Sequence, residues 1–364
     1  MTTPTPLVGF NAWMTREQVD AAFLTSSTTI AHLTGFRAET MERLMALAVS
    51  AGEVAVLIVP GIEEEPAKAA AQGVEVLAWK DGEDPYTLVA EVLGTRPARL
   101  AVETGHLTLA GHRRLEERVQ ARALIDATPV LGDLRLHKTP HEIALLEEAA
   151  RITDQVTGTV LAHARAGMTE IEIGRVIDDA IQGAGAQLSF PSLVQAGPAS
   201  ADPHHRPSAT RLRRGDLLLL DFGAAVGGYC ADTTRTVCCG VPSAEQQQIF
   251  DLVLRAHDQA IAAIRPGVTA GAVDESARQL IREAGHGEHF FHRVGHGLGL
   301  DEHEAPSLDP GSTLIIEPGM VFTIEPGIYI PGWGGVRVED DVVVTEGGCR
   351  LLTRAARELV PLPA

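Results

Sequence analysis

Four carboxylates occupy matched positions in strand-like segments of the sequence. In GDLLLLDFG (215–223) and GMVFTIEPG (319–327) an acid stands six residues after the first glycine, at Asp221 and Glu325. In GGYCAD (227–232) and GGVRVE (334–339) an acid ends the segment, at Asp232 and Glu339. Any one of them alone would be a solvated acid or a salt-bridge partner. Because buried acids are costly unless they are paired or bind a cation, four that converge predict a cation site.

Three histidines in HRVGHGLGLDEH (292–303) add nitrogen donors to this set. His292 and His296 are four residues apart, the spacing of the zinc ligands on a metallopeptidase helix. Gly295 and Gly297 make a helix implausible here, and the glutamate of that motif is absent, so we exclude a helical zinc site. The glycines instead let the backbone approach a ligand closely.

A faint duplication predicts how these residues come together. Residues 158–185 and 258–285 align without gaps, with seven identities in 28 positions, and both read as helix, Gly-x-Thr turn, helix and closing glycine. The matched strand segments follow each copy. A duplicated unit of two helices and a hairpin, folded about a pseudo-twofold axis, would bring the four carboxylates to the centre of a sheet.

The first 131 residues have a different texture, in which short apolar strands alternate with amphipathic segments. Strands are predicted at 54–59, 74–79 and 100–102, and helices near 86–93 and 112–119. This alternation predicts a small α/β domain.

A helix start separates this domain from the rest of the chain. Thr139 is a predicted N-cap, Pro140 occupies the first helical position, and Glu142 stands three residues after the cap. We therefore predict two domains, residues 1–131 and 132–364.

Composition excludes several classes of function. The 364 residues carry 48 acidic and 30 Lys or Arg side chains, a formal charge of −18, which disfavours binding to nucleic acid or to an anionic membrane. No apolar run is long enough to span a bilayer, and residues 1–11 lack the features of a signal peptide. The cysteines have no CxxC spacing and are predicted to be small buried side chains in a reducing cytoplasm: Cys230, Cys238, Cys239 and Cys349.

Three strings together resemble the pita-bread metallopeptidases: DFG…GYCADTTRT, VGHGLGLDEHE and TIEPGIYIPGWGGVRVEDD. That family contains methionine aminopeptidase, Xaa-Pro aminopeptidase, Xaa-Pro dipeptidase (prolidase) and the metal-free creatinase. The resemblance covers residues 135–364, and STTIAHLTGF (27–36) is similar to the creatinase-type N-terminal domain. It implies an α/β (α+β) chain, in which that domain precedes a pita-bread catalytic domain with a pseudo-twofold repeat.

The resemblance implies two divalent ions per subunit. Asp221 would chelate one ion, Asp232 and Glu339 would bridge both, and His296 with Glu325 would complete the second site. Carboxylates and one imidazole suit Mn²⁺ first, with Co²⁺ and Zn²⁺ as alternatives. Two ions about 3.5 Å apart would share and deprotonate a water, and the resulting hydroxide would attack the peptide carbonyl.

The resemblance also implies catalytic roles for side chains around the ions. Glu325 would act as general base and pass the proton to the leaving nitrogen. His292 and His303 would lie near the scissile carbonyl. His204, in the motif ADPHHRPS, would hold the substrate, with its neighbour in the sequence as the alternative. Arg337 would orient a ligand carboxylate.

These features select one branch of the family. All five ligand positions are present, which favours a metalloenzyme over creatinase, and the N-terminal domain disfavours methionine aminopeptidase. A non-catalytic binding protein on the same fold would have lost ligands and gained basic insertions, and neither feature is present. We expect a cytoplasmic homodimer that cleaves dipeptides with C-terminal proline; the alternative is an Xaa-Pro aminopeptidase acting on longer peptides.

One departure weakens the dipeptidase assignment. A dipeptidase needs a cation for the free carboxylate of its substrate. Some prolidases place an arginine after the ligand histidine, but residues 303–327 contain none. Arg37, in the loop GFRAE, is a candidate if it comes from the neighbouring subunit.

Overall fold

The computed structural model describes residues 5–94 and 96–364. The chain divides into two compact units, Met1–Arg135 and Leu136–Ala364. The predicted boundary at 131/132 falls inside the helix Thr128–Leu136, whose Leu131 packs into a core of the first unit. The division into units lies four residues later than predicted, before the last residue of that helix, Leu136.

The first unit is an α/β domain built on a six-stranded mixed sheet of order β4-β3-β2-β1-β5-β6. Its elements, in chain order, are α1 Thr5–Arg16, β1 Ala21–Leu24, α2 Ser27–Thr34, β2 Ala46–Ser50, β3 Ala55–Pro60, α3 Glu64–Ala70, β4 Val74–Trp79, α4 Pro85–Leu93, β5 Leu100–Val102, α5 Leu109–Arg118, β6 Leu124–Asp126 and α6 Thr128–Leu136. The three predicted strands are β3, β4 and β5, and the two predicted helices are α4 and α5. The α/β prediction is therefore confirmed element by element.

The second unit combines four helices with several small sheets. Its elements are α7 Pro140–His163, α8 Glu170–Gly183, β7 Gln187–Leu188, β8 Leu193–Ala196, β9 Leu217–Phe222, β10 Ala224–Val226, β11 Tyr229–Cys230, β12 Thr233–Cys239, α9 Ala244–Ala263, α10 Ala270–Glu283, β13 His296–Gly297, β14 Glu304–Ser307, β15 Val321–Ile324, β16 Gly327–Ile330, β17 Gly334–Arg337, β18 Asp340–Thr345, β19 Gly348–Leu351 and β20 Pro361–Leu362. The two largest sheets have the orders β20-β12-β9-β8 and β14-β13-β15-β18-β19.

The start of α7 is the capping box that the sequence predicts. The Thr139 hydroxyl accepts from the backbone N–H of Glu142 at 3.3 Å, and the Glu142 carboxylate accepts from the N–H of Thr139 at 2.7 Å. Two of the N–H groups that a helix start leaves unpaired are thereby satisfied.

The two halves of the second unit repeat the same local structure. Helices α7 and α8 correspond to α9 and α10, and the second helix of each pair has a threonine N-cap, Thr169 or Thr269. The turn before each cap contains a glycine with positive φ, 88° at Gly167 and 90° at Gly267, a conformation that side chains other than glycine rarely adopt. Strands β9 and β12 pair antiparallel in the first half, as β15 and β18 do in the second. The predicted duplication is confirmed.

The cysteines are buried as the sequence predicts, except Cys349, which is only partly buried. All four cysteines are free. Within the part of the chain that the structure describes, no helix has the length and apolar character needed to cross a membrane.

Candidate active site

Four strands place the four repeat carboxylates. Asp221 lies on β9, where it pairs with Thr234 on β12, and Asp232 immediately precedes β12. Glu325 immediately follows β15, and Glu339 immediately precedes β18. The apolar residues of these strands fill the cores on either side, so the acids are held at strand ends inside the unit.

The structure brings all five predicted ligands together. Three overlapping groups of side chains each have donor atoms within 4.8 Å of one another: Asp221 with Asp232 and Glu339, His296 with Glu325 and Glu339, and Asp232 with His296 and His303. Three residues, Asp232, His296 and Glu339, each belong to two of the groups, and two of these, Asp232 and Glu339, are the residues predicted to bridge. His303 also offers a donor atom, although the sequence analysis placed it near the substrate carbonyl.

The electrostatics of this cluster fit a bound cation. Burial, reinforced by neighbouring carboxylates, raises the pKa of Asp232 and of Glu339 well above the ordinary values. Burial also raises the pKa of Glu325 to about 7. Oδ1 of Asp221 and Oδ1 of Asp232 are buried without a hydrogen-bond partner. Buried acids with unpaired oxygens are stable as anions only beside positive charge, and carboxylates with imidazole suit a divalent ion.

Arg337 supplies part of that charge. Its Nη2 donates to Oδ2 of Asp221 at 2.6 Å, its Nε to the Thr234 hydroxyl at 2.8 Å, and its Nη1 to the Tyr329 hydroxyl at 2.8 Å. The Thr234 hydroxyl in turn donates to Oε2 of Glu339 at 2.6 Å. Arg337 therefore orients one carboxylate directly and another through a threonine.

The histidines of 292–303 lie around the same cluster. Burial, and then the charge of Arg337, lowers the pKa of His292 to about 3, so this ring is neutral at pH 7. Its Nε2 lies 3.0 Å from the Tyr329 hydroxyl. Burial also lowers the pKa of His296 well below 6.5, which gives the neutral imidazole that a metal ligand requires. The His296 and His303 ring centroids are 3.9 Å apart.

The adjacent histidines of ADPHHRPS have different surroundings. His204 is exposed and lines the cavity next to the carboxylates. His205 turns away, with Nε2 at 2.9 Å from the fully buried carboxylate of Glu170. Of the two, His204 is the one that lines the cavity.

A cavity of about 800 Å³ opens onto the cluster. It is lined by the five predicted ligands, by His204, His292, His303 and Arg337, and by two cationic side chains that the sequence analysis missed, Arg206 and Arg293. Nη1 of Arg293 donates to the Ser307 hydroxyl at 2.8 Å, which ties it to the segment after His303. Arg293 stands beside His292 in the sequence, upstream of residues 303–327, and this position was its only sequence signal.

Arg37 lies in the first unit, exposed on the loop after α2. Its predicted role depends on a neighbouring subunit and stays a prediction.

Comparison with known proteins assigns the family. Residues 144–346, more than half of the chain, match metallopeptidase family M24. This chain is an M24 metallopeptidase. Residues 7–137 match the creatinase/prolidase N-terminal domain. The resemblance inferred from the sequence is confirmed, and so is the fold class, a creatinase-type N-terminal domain followed by a pita-bread catalytic domain.

Relatives of this M24 metallopeptidase are similar over nearly their whole length. A prolidase from Thermococcus sibiricus is 35% identical, with a TM-score of 0.94 and complete coverage of both chains. An X-Pro aminopeptidase from Thermotoga maritima is 30% identical, with a TM-score of 0.89, over 98% of this chain and 99% of that one. An uncharacterized peptidase of Staphylococcus saprophyticus is 38% identical over 93% of this chain and 95% of its own.

Proposed function

We propose that this metallopeptidase is an Xaa-Pro dipeptidase, which hydrolyses dipeptides with C-terminal proline. The observation that carries the proposal is the convergence of four repeat carboxylates and His296 in overlapping donor groups beside a cavity that also holds Arg293. The similarity to a prolidase over the whole chain supports the same substrate class.

Two divalent ions are proposed, with Mn²⁺ first and Co²⁺ or Zn²⁺ as alternatives. Asp221 would hold one ion, His296 and Glu325 the other, and Asp232 with Glu339 both. When bound, such ions supply Lewis acidity, which polarises a peptide carbonyl and acidifies a water. The groups that contain Asp221 and Glu325 are different and share Glu339, which supports a division into two ions with Glu339 between them.

Side chains of the protein handle the proton and the substrate. Glu325 lines the cavity, with Oε1 3.4 Å from Nε2 of His296, and is proposed to accept a proton from the attacking water and return it to the proline nitrogen. His303 is proposed to hydrogen-bond the scissile carbonyl as negative charge develops on it. His292 is proposed to lie beside that carbonyl, with its ring oriented by the Arg293 carbonyl and the Tyr329 hydroxyl. His204 is proposed to hold the substrate.

Arg293 is the proposed anchor for the substrate carboxylate. It is half-buried at the cavity, and in the part of the chain that the structure describes its side chain makes one hydrogen bond, to Ser307. A guanidinium has five N–H donors in a fork that matches a carboxylate, so most of them remain for the substrate. Arg293 therefore offers the charge whose absence downstream of His303 weakened the dipeptidase assignment.

Substrate length tests the proposal. The Mn²⁺-loaded protein is incubated with Ala-Pro and with Ala-Pro-Ala-Ala, and release of free proline or alanine is followed by chromatography. Rapid hydrolysis of Ala-Pro, with slow or no hydrolysis of the tetrapeptide, is expected because Arg293 requires a carboxylate on the proline itself. Protein carrying Glu325→Gln is the matched control and should be inactive on both. Cleavage of the tetrapeptide alone would identify an Xaa-Pro aminopeptidase instead.

The expected assembly and location complete the proposal. A cytoplasmic homodimer is what the sequence resemblance implies, and light scattering during size-exclusion chromatography measures the oligomeric state directly.

A further inference from the structure

Two hydrogen bonds cross between the halves of the duplicated unit at the proposed bridging carboxylates. The backbone N–H of Asp232, from the first half, donates to Oδ2 of Asp341 in the second half at 3.0 Å. In return, Nη1 of Arg235 in the first half donates to the backbone carbonyl of Glu339 in the second. Each half therefore supplies one proposed bridging residue and one side chain that binds the backbone of the other half's bridging residue.

The guanidinium of Arg235 has no free hydrogen-bond donor. It is 3% exposed, and all five of its N–H donors are used. The acceptors are the carbonyl oxygens of Thr234, Glu339, Ala355 and Ala356 and Oδ1 of Asp340. A planar guanidinium with every donor occupied has a single orientation, so Arg235 fixes the backbone of Glu339 relative to β12.

Strand β12 holds Glu339 at two further points. The N–H of Glu339 donates to the Thr234 carbonyl at 3.2 Å, and its Oε2 accepts from the Thr234 hydroxyl at 2.6 Å. With Arg235 on the carbonyl, the amide, carbonyl and carboxylate of one residue are all bound by two consecutive residues of the other half.

Asp341 is itself held by a buried hydrogen bond to Thr353. It is 1% exposed, and its backbone N–H donates to the Thr353 hydroxyl at 3.0 Å. That hydroxyl donates to Oδ1 of Asp340 at 2.8 Å, and the same oxygen accepts from Arg235. The two crossing contacts are thus joined through Asp340 and Thr353 into one buried network.

We infer that Arg235 and Asp341 form a reciprocal clamp that sets the separation of Asp232 and Glu339 and thereby lets both ions bind at once. The inference rests on the proposed dinuclear centre. Neither side chain lines the cavity, so both are positioning residues. Productive ligand geometry tolerates errors of only about 0.5 Å. Because a second ion must also overcome repulsion from the first, loosening the clamp weakens the second binding step most.

Titration with Co²⁺ tests the clamp, with visible absorption and calorimetry as readouts that do not depend on activity. Asp341→Ala and Arg235→Met are each expected to bind the first ion normally and the second about 10- to 100-fold more weakly, the usual effect of losing a contact that orients a ligand. Asp341→Asn keeps an acceptor for the Asp232 N–H and should stay within a few-fold of wild type. If Arg235→Met does not fold, Arg235→Lys replaces it, since three ammonium donors leave at least two acceptors unpaired.

Glu103→Ala is the matched control. Glu103 is also a buried carboxylate that accepts backbone N–H groups, from Thr25 and Ser26, but it belongs to the first unit. The Glu103→Ala variant should have a lower Tm than wild type but should bind both Co²⁺ ions with unchanged affinity. The clamp is overturned if the Asp341→Ala and Arg235 variants bind both ions like wild type, if Asp341→Asn is as weak as Asp341→Ala, or if Glu103→Ala loses the second ion equally. Wild-type protein that binds fewer than two ions would instead overturn the dinuclear centre itself.

Discussion

Arg337 and Arg293 bring the same charge to the same cavity but are placed for different tasks. Arg337 is 4% exposed and is bound to Asp221, Thr234 and Tyr329. Each of its three nitrogens donates a hydrogen bond to the protein. Arg293 is half-buried and is bound to one serine hydroxyl. The first arginine therefore organises the proposed ligands, and the second remains available to a substrate.

Replacement of Arg293 tests that distinction. Arg293→Ala should raise KM for Ala-Pro by about 10- to 100-fold, because a hydrogen bond to a charged group contributes about 1.5–3 kcal/mol. The kcat should change less, since the contact lies away from the reacting bond. Steady-state kinetics on Ala-Pro, with Ala-Pro-amide as the substrate that lacks the carboxylate, measures the effect.

Arg37→Ala is the competing variant. If Arg293→Ala leaves KM for Ala-Pro unchanged while Arg37→Ala raises it, the anchor is Arg37 and the assignment to Arg293 is wrong. If Arg37→Ala has no effect, the role predicted for Arg37 is abandoned.

At this scale the sequence predicted the repeat carboxylates and His296 better than the side chains around them. The repeat carboxylates and His296 could be found because residue type, spacing and duplication agree. The choice between His204 and His205 depended on where Glu170 lies, 34 or more residues away in sequence. Thr234 and Tyr329 gave no signal, because an ordinary strand residue acquires its role only from contacts across the sheet.

Helices and long strands were predictable from local signals, whereas the shortest strands were not. The capping box at Thr139 and the turns before Thr169 and Thr269 are determined by residues that are neighbours in the sequence. Strand β13, His296–Gly297, is defined by its partners β14 and β15 and has no periodicity of its own. One of its two residues, His296, is nevertheless a predicted metal ligand.

The first residue of α8 gives an element-scale prediction. Glu170 is fully buried and accepts from the N–H of Ala196 and of Ser208 and from the Ser208 hydroxyl, which ties α8 to the segment carrying His204. Burial acts to raise its pKa, but these hydrogen bonds and the one with His205 outweigh burial, and the pKa of Glu170 is lowered. Glu170→Gln should cost about 2 kcal/mol at pH 7, from the lost charge-assisted bonds.

The pH dependence of that loss has a defined sign. A carboxyl whose folded pKa is lowered contributes stability above its unfolded value, about 4.3, and that contribution disappears as pH falls through the folded pKa. Urea unfolding between pH 3 and 7 measures the difference in the free energy of unfolding between wild type and Glu170→Gln. This difference should be constant above about pH 5 and should decrease below it. A difference that increases on acidification would contradict the lowered pKa of Glu170.

For the molecule as a whole, the acidic side chains fall into two groups, those outside the proposed metal centre and those within it. Most of the 48 acidic side chains lie outside the proposed metal centre, whereas four of them converge in the second unit. Two divalent ions would offset the charge of those four. Their mutual repulsion and burial destabilise the folded state when no cation is bound, so the stability of the second unit should depend on metal.

Thermal unfolding with and without metal measures this dependence. An ion that binds only the folded state at 100 times its Kd stabilises it by about 2.7 kcal/mol. For a unit of this size that corresponds to an increase in Tm of roughly 5–11 °C. Because every donor lies in Leu136–Ala364, the increase in Tm belongs to the unfolding transition of that unit.

Variants of the proposed bridging carboxylates test the origin of this increase. Asp232→Ala or Glu339→Ala should abolish activity and most of the Mn²⁺-induced increase in Tm. Glu346→Gln, at an exposed acid after β18, should preserve both. An Mn²⁺-induced shift of wild-type size in either alanine variant would contradict the assignment of these carboxylates as ligands.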